Sequence, residues 1–149
     1  MSETQPSQQL TTVLAGMRWH VRPERFVLVG VEPRMRRLAF QLLINVDESF
    51  VQCIAEPEVF TLVLPEPTWR EVQAAFPRAR VQQPFRVISF DLDLPPDLVG
   101  FLARVTDALA YANVSVLAIC GYSRDYVMVR DEDIPAATQA LDTLFALST

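Results

Sequence analysis

The order of secondary-structure signals repeats once along the chain, and this repeat constrains the fold more than any other feature. In each half, a strand pattern precedes a helical stripe, two strand patterns joined by a turn, and a second helix. The repeat is clearest after residue 84, where Ile88, Phe90, Leu92 and Leu94 alternate with polar residues. Such alternation is typical of a strand with one packed face and one solvated face. The sequence therefore predicts two successive βαββα units.

The boundaries of the units follow from breaks in these patterns. We expect an N-terminal tail and short helix over residues 1–24, because apolar residues recur at helical spacing between Leu10 and Met17. The first unit is expected over residues 25–80 and the second over residues 85–147. A polar connection over residues 77–84 is expected between them.

Each unit is expected to be an α+β structure with an antiparallel sheet and both helices on one face, which is a ferredoxin-like architecture. A complete unit of this kind has a fourth strand after its second helix. The second unit has no residues left to form one. We expect its fourth strand to come from the other half of the chain, or its sheet edge to be completed by a partner chain.

Helix ends have their own signals. Thr68 followed three residues later by Glu71 predicts a capping box at the start of the second helix of the first unit. Asp97 is a plausible N-cap for the first helix of the second unit. Asn113 is suited to the left-handed position at the end of that helix.

Composition excludes several function classes. The net charge is −5, and an acidic protein of this kind is a poor partner for nucleic acid or for anionic membranes. All 13 basic residues are Arg, which excludes lysine-dependent catalysis. No stretch has the signature of a signal peptide or approaches the length of a membrane span, so we expect a cytoplasmic protein.

No catalytic constellation, metal site or cofactor site emerges from the residues. His20 is the only histidine and has no Cys, Asp or Glu at ligand spacing, so we interpret it as structural. Cys53 and Cys120 lie in apolar strand patterns and are interpreted as free thiols. We therefore expect a protein that is not an enzyme, with no cofactor and no metal.

Short peptides in the second half suggest a family. Residues 85–88, 98–103 and 118–127 resemble an ACT domain, and more narrowly the small bacterial proteins with paired ACT domains and their arginine-sensing eukaryotic relatives. Residues 14–17 and 60–65 resemble the N-terminal half of the same bacterial group. The resemblance implies a regulatory protein that binds an amino acid or a similar small ligand, and a homodimer or higher homo-oligomer.

The resemblance also implies a binding site, since ACT proteins commonly hold their ligand between two units. It lies at the loop after the first strand of the second unit and at the facing second strand. Asp125, at the start of the third strand, corresponds to an acidic residue that contacts a cationic group in the arginine sensors. The residues that this implies as ligand-binding are Asp97, Leu98, Val99, Gly100, Ala118, Ile119, Cys120, Gly121 and Asp125.

Structural explanations stay open for several of these residues. Asp97 is also explained as a helix cap, and Gly121 as the end of a strand before a turn. Gly100 indicates a close backbone contact, either to a ligand or to a neighbouring strand. Arg124 is expected to pair with Asp125 at the surface, which would weaken a ligand role for that carboxylate.

Two functions thus follow from the sequence. The first is a non-catalytic regulatory or sensor protein that binds a small amino-acid-like ligand. The alternative is a protein–protein interaction or scaffold module without a small ligand, which would bind its partner through open sheet edges such as residues 114–119.

Overall fold

The computed structural model describes residues 6–44, 46 and 50–147. The chain divides into two compact units. We call residues 23–85 the central unit, and residues 6–22 together with 86–147 the split unit. Helix α1 (Pro6–Gly16) and strand β1 (Trp19–Val21), within the segment expected to be a tail and a short helix, therefore belong to the split unit.

The described residues of the central unit form four strands and two α-helices. In chain order these are β2 (Phe26–Val31), α2 (Arg36–Leu43), β3 (Gln52–Ala55), β4 (Phe60–Pro65), α3 (Glu66–Val72) and the first half of β5 (Arg80–Phe90). The strand order is β3-β4-β2-β5, and each of the three neighbouring pairs is antiparallel. This is the α+β, ferredoxin-like arrangement that the sequence predicts, with its fourth strand present.

The core of the central unit lies between one sheet face and the helices. Alternate residues of β2 and β4 point into it, as expected for strands with one packed face. Trp69 of α3 stacks on Phe76 with a ring-centroid distance of 6.0 Å. The buried members of this core are Val27, Val29, Val31, Ala39, Phe60, Leu62, Leu64, Trp69 and Phe76.

The expected polar connection over residues 77–84 is wrong for its second half, because β5 begins at Arg80. Its first residues pair with β2 through backbone groups, so their polar side chains do not prevent strand formation. The register shifts between the pairs Phe26–Phe85 and Leu28–Gln82. Pro84 lies at this irregularity, where a residue without an N–H group is tolerated.

The split unit combines both ends of the described chain. Its elements are α1 (Pro6–Gly16), β1 (Trp19–Val21), the second half of β5, α4 (Phe101–Tyr111), β6 (Leu117–Cys120), β7 (Asp125–Arg130) and α5 (Ile134–Ala146). Strands β5, β7 and β6 follow one another in the sheet, and β1 pairs antiparallel with β5 through Trp19–Phe90, His20–Ser89 and Val21–Ile88. Strand β1 is thus the fourth strand of the βαββα pattern that begins at β5.

Apolar residues of α1, α4 and α5 pack with the sheet to form the core of the split unit. Leu14 and Met17 are both buried, as the helical spacing predicts. Helix α4 contributes Phe101, Val105 and Leu109, one residue from each successive turn. The remaining buried members are Ile88, Phe90, Val114, Val127, Val129, Ala137, Leu141, Leu144 and Phe145.

Three expected helix and strand ends are wrong, and each has a local cause. Helix α3 begins at Glu66 after Pro65, so Thr68 lies inside it and caps nothing. The N-cap of α4 is Gly100, and Asp97 is an exposed loop residue. Strand β5 ends at Phe90 and not at Leu94, whose N–H donates to the Ser123 carbonyl in the turn between β6 and β7. Asn113 has a φ of 57°, as predicted for a left-handed helix end.

Candidate functional site

A cavity of about 270 Å³ lies in the split unit, where the loop after β5 meets the turn between β6 and β7. We call it the α4 cavity. The hydrogen bond from Leu94 N–H to Ser123 O, at 2.7 Å, joins the two loops. The lining residues are Leu94, Pro95, Pro96, Leu98, Gly100, Phe101, Leu102, Ala103, Gly121, Tyr122, Ser123, Arg124 and Asp125.

The N-terminus of α4 forms one wall. Gly100 has a φ of 94°, a backbone conformation that residues with a Cβ rarely adopt. A Cβ at this position would also lie 3.1 Å from Cδ2 of Leu10. No side chain caps the helix, so its first backbone N–H groups have no side-chain acceptor. These groups lie at the end of the helix that lines the cavity, where the helix dipole favours an anion.

The turn between β6 and β7 forms the opposite wall. Gly121 N–H donates to Arg124 O at 2.8 Å and closes the turn. A Cβ on Gly121 would lie 3.1 Å from that same carbonyl oxygen and 3.3 Å from the Tyr126 ring. The close approach of the two strands therefore favours a glycine here, which offers an explanation of Gly121 without a ligand.

Arg124 is held at the rim of the cavity by two carboxylates. Its Nε donates to Asp93 Oδ1 at 2.9 Å, and its Nη1 lies 3.7 Å from Asp91 Oδ1. The second oxygen of Asp91 lies 2.7 Å from His20 Nδ1. The hydrogen bond with Asp93 is the main cause that raises the pKa of the Arg124 guanidinium. The expected pairing of Arg124 with Asp125 is therefore wrong.

Asp125 lies where β7 begins, opposite Cys120 in the β6–β7 pairing. Partial desolvation of the sulfur raises the pKa of the Cys120 thiol, and a hydrogen bond and the negative charge of Asp125 raise it further. The Asp125 carboxylate is half-buried and lines the cavity. It places a negative charge across the cavity from the positive end of α4.

The structure brings together four of the nine residues that the resemblance implies as ligand-binding. Leu98, Gly100, Gly121 and Asp125 line the α4 cavity. Asp97 and Val99 are exposed outside it, Ile119 is buried in the strand, and Ala118 and Cys120 do not line it either. A ligand role for any of the nine residues stays a prediction.

Other lining residues were not identified from the sequence. Phe101, Leu102 and Ala103 belong to the first turn of α4, which the expected cap at Asp97 placed too early. Arg124 and Tyr122 belong to the turn, where Tyr122 is fully exposed. A helix cap assigned to Gly100 would have placed these three residues in the first turn of α4.

The described residues contain no group of three or more His, Cys, Asp or Glu side chains that could hold a metal ion. Within the same part of the chain, no helix is both long and apolar enough to cross a membrane.

A known protein family matches the part of the chain that lines this cavity. The model of the ACT domain matches residues 80–143, from the start of β5 into α5. A search of the curated proteins finds no match.

Solved structures resemble nearly the whole chain. A Vibrio cholerae protein of unknown function, described as a possible transport protein, is 26% identical with a TM-score of 0.70, covering 91% of this chain and 95% of its own. The ligand-free regulatory subunit of aspartate kinase from Thermus thermophilus is 14% identical, with a TM-score of 0.63 and coverages of 85% and 96%. Aspartokinase III from E. coli, in complex with aspartate and ADP, is 16% identical with a TM-score of 0.62, covering 85% of this chain and 32% of its own. The chain therefore contains an ACT domain over residues 80–143, within an α+β fold that it shares with regulatory subunits of aspartate kinase.

Proposed function

We propose that this is a non-catalytic regulatory protein that binds a small amino-acid-like ligand in the α4 cavity. The observation that carries the proposal is the convergence of Gly100 and Asp125 on one cavity within the ACT domain. Regulatory subunits of aspartate kinase share the fold, which supports a regulatory role over a catalytic one.

The charges around the cavity support a zwitterionic ligand. The uncapped N-terminus of α4 suits a carboxylate, because its N–H groups and the helix dipole both favour negative charge. The Asp125 carboxylate suits an ammonium group on the opposite side. Arg124 contributes little free positive charge, since Asp93 and Asp91 both pair with it.

We extend the proposal to the whole chain. The central unit has the same strand order as the split unit, which supports two ACT-like units in one chain. Strand β6 is an edge strand with Leu117 partly exposed, which supports a homodimer or a higher homo-oligomer. A cytoplasmic location belongs to the same proposal.

A thermal-shift screen of the common amino acids, followed by calorimetry, tests ligand binding. A ligand that binds only the folded protein stabilises it by RT ln(1 + [L]/Kd), so millimolar ligand should raise the melting temperature. Asp125→Asn should weaken binding of the stabilising amino acid. Asp97→Asn is the matched control, because Asp97 is an exposed carboxylate nearby that does not line the cavity. No response to any amino acid at millimolar concentration, or equal effects of both variants, would contradict the proposal.

The β6 edge also supports the alternative, a scaffold module without a small ligand. Within the described residues, β6 lies at the end of the strand order and pairs with β7, so its outer backbone groups can pair with a strand of another protein. A stoichiometric partner that is lost on Ala118→Pro, together with no amino-acid response, would favour this function. Leu117→Lys alters the same strand without removing a backbone donor and serves as its control.

A further inference from the structure

The central unit has a cavity of its own, of about 280 Å³. It lies where β2 ends, between the short helical turn at Pro33–Met35 and the connection that leads into β5. Its walls are largely apolar, and the side chain of Phe76 forms a buried part of them. The remaining lining residues are Val31, Glu32, Arg34, Met35, Pro77, Arg78 and Ala79.

Positively charged side chains outnumber negatively charged ones at this cavity. Nε of Arg34 donates to Glu32 Oε2 at 2.5 Å, and Nη1 of Arg78 lies 3.4 Å from Glu32 Oε1. A single carboxylate thus serves two guanidinium groups, which leaves one positive charge in excess. Both arginine side chains are more than 70% exposed, so they can turn toward a ligand without breaking a buried contact.

The two arginines lower the pKa of the Glu32 carboxyl. The hydrogen bond from Arg34 holds the pKa of the Glu32 carboxyl below its ordinary value, and the charges of Arg34 and Arg78 add to this effect. Partial desolvation acts in the opposite direction and does not prevail. The local field around the cavity therefore favours negative charge, although the whole protein is acidic.

We propose that this cavity binds a small organic anion. The apolar body of the ligand contacts Met35 and Phe76, and its carboxylate or phosphate lies between Arg34 and Arg78. Guanidinium groups suit both kinds of anion because their planar donors can form paired hydrogen bonds. Small-ligand sites commonly combine apolar walls with a few polar groups that fix orientation. The proposal is independent of the α4 cavity.

Trp69 provides a signal for occupancy. Its ring is buried and stacks on Phe76, with an interplanar angle of 25°. The other tryptophan, Trp19, belongs to the split unit. In a Trp19→Phe background, the tryptophan fluorescence therefore arises beside the cavity alone.

The test is a fluorescence and calorimetric titration with benzoate and with phenyl phosphate. Benzyl alcohol is the neutral control and acetate is the control without an apolar body. Both aromatic anions should bind more tightly than either control. Preference between the two anions distinguishes a carboxylate ligand from a phosphate ligand, and either preference supports the proposal. Binding of benzyl alcohol as tight as that of benzoate would overturn it, and so would no binding of either anion at millimolar concentration.

Variants assign the binding to the two arginines. Arg34→Gln and Arg78→Gln should each weaken anion binding about threefold to fivefold, as expected for an exposed ion pair. Glu32→Gln should tighten it, because a competing carboxylate is removed. Arg36→Gln is the matched control, since Arg36 is an exposed arginine on the next turn that does not line the cavity. Equal weakening by Arg36→Gln and Arg34→Gln, or weaker binding in Glu32→Gln, would overturn the proposal.

Discussion

The guanidinium group of Arg86 donates two hydrogen bonds to the carbonyl oxygen of Arg22, at 2.7 Å from Nη2 and 3.2 Å from Nε. Its Nη1 also lies 3.4 Å from Asp131 Oδ1, in an ion pair whose side chains are both about four-fifths buried. Arg22 in turn donates from its N–H to Val87 O and from Nε to the buried hydroxyl of Ser89. These bonds link the residue after β1 to β5 and link β5 to the segment after β7.

Arg86→Gln should destabilise the protein by about 1–3 kcal/mol, because it removes donors from the partly buried Arg22 carbonyl and from the mostly buried Asp131 carboxylate. Urea unfolding followed by circular dichroism measures the change. Arg104→Gln removes an exposed arginine from α4 and should change the free energy of unfolding by less than about 0.5 kcal/mol. Similar values for the two variants would show that the Arg86 bonds contribute nothing specific.

Gly100→Ala should destabilise the protein by about 1–3 kcal/mol, because a φ of 94° is strained for any residue with a Cβ. Gly16→Ala is a matched control with the opposite expected sign. Gly16 ends α1, has nothing within 4 Å of an added Cβ, and has no positive φ, so alanine should stabilise by up to about 1 kcal/mol. Thermal unfolding of both variants tests the pair.

The Gly100→Ala substitution should destabilise the protein for a second reason, a steric contact with Leu10, and a double variant separates this contact from the backbone strain. The added Cβ would meet Leu10 at 3.1 Å. In a Leu10→Ala background, Gly100→Ala should therefore cost less than in the natural sequence, while the backbone strain remains. An undiminished cost would assign the whole effect to backbone conformation.

Asp125→Asn should increase the reactivity of Cys120 toward iodoacetamide at pH 8 by up to about threefold. The Asp125 carboxylate helps to raise the pKa of the Cys120 thiol, and only the thiolate reacts. The difference between variant and natural protein should vanish as the pH rises above that pKa, where both are fully ionised. Cys53 is the internal control, because burial alone raises the pKa of its thiol. Mass spectrometry resolves the two sites.

A chain that starts at residue 23 should lose the stable fold of the split unit. It lacks Leu14 and Met17 from the core and β1 from the sheet. Leu14→Ala, a milder change, should cost about 2–5 kcal/mol. Hydrogen exchange should show protection lost from α4, α5, β6 and β7 but kept in β2 and β4. Full protection of α4 in the shortened chain would contradict the role given to the N-terminal segment.

Much of the fold could be predicted because apolar periodicity determines it. Apolar runs identified β2 and β4, alternation identified the second half of β5, and helical spacing identified α1 and α4. The start of β5 could not be found this way, because Arg80 and Gln82 pair through backbone atoms that the side chains do not reveal. Strand β1 has three residues, which is too short for a periodic signal.

The site was only partly predictable for a related reason. Gly100 and Asp125 stand out as a glycine near a helix start and an acid after a turn, and both line the cavity. Asp97 has the chemistry of a cap, but capping depends on backbone conformation, and the chain adopts the left-handed turn at Gly100 instead. The pairing of Arg124 with Asp93 depends on the approach of two loops 31 residues apart.

The position of β1 also has a consequence for synthesis on the ribosome. Helix α1 and strand β1 are synthesised well before α4 and α5, which contribute to the same core. The central unit has its own fourth strand and can fold during this interval. Leu14 and Met17 therefore stay exposed in the nascent chain until α4 and α5 have been synthesised, and α1 presents an apolar face to solvent during that time.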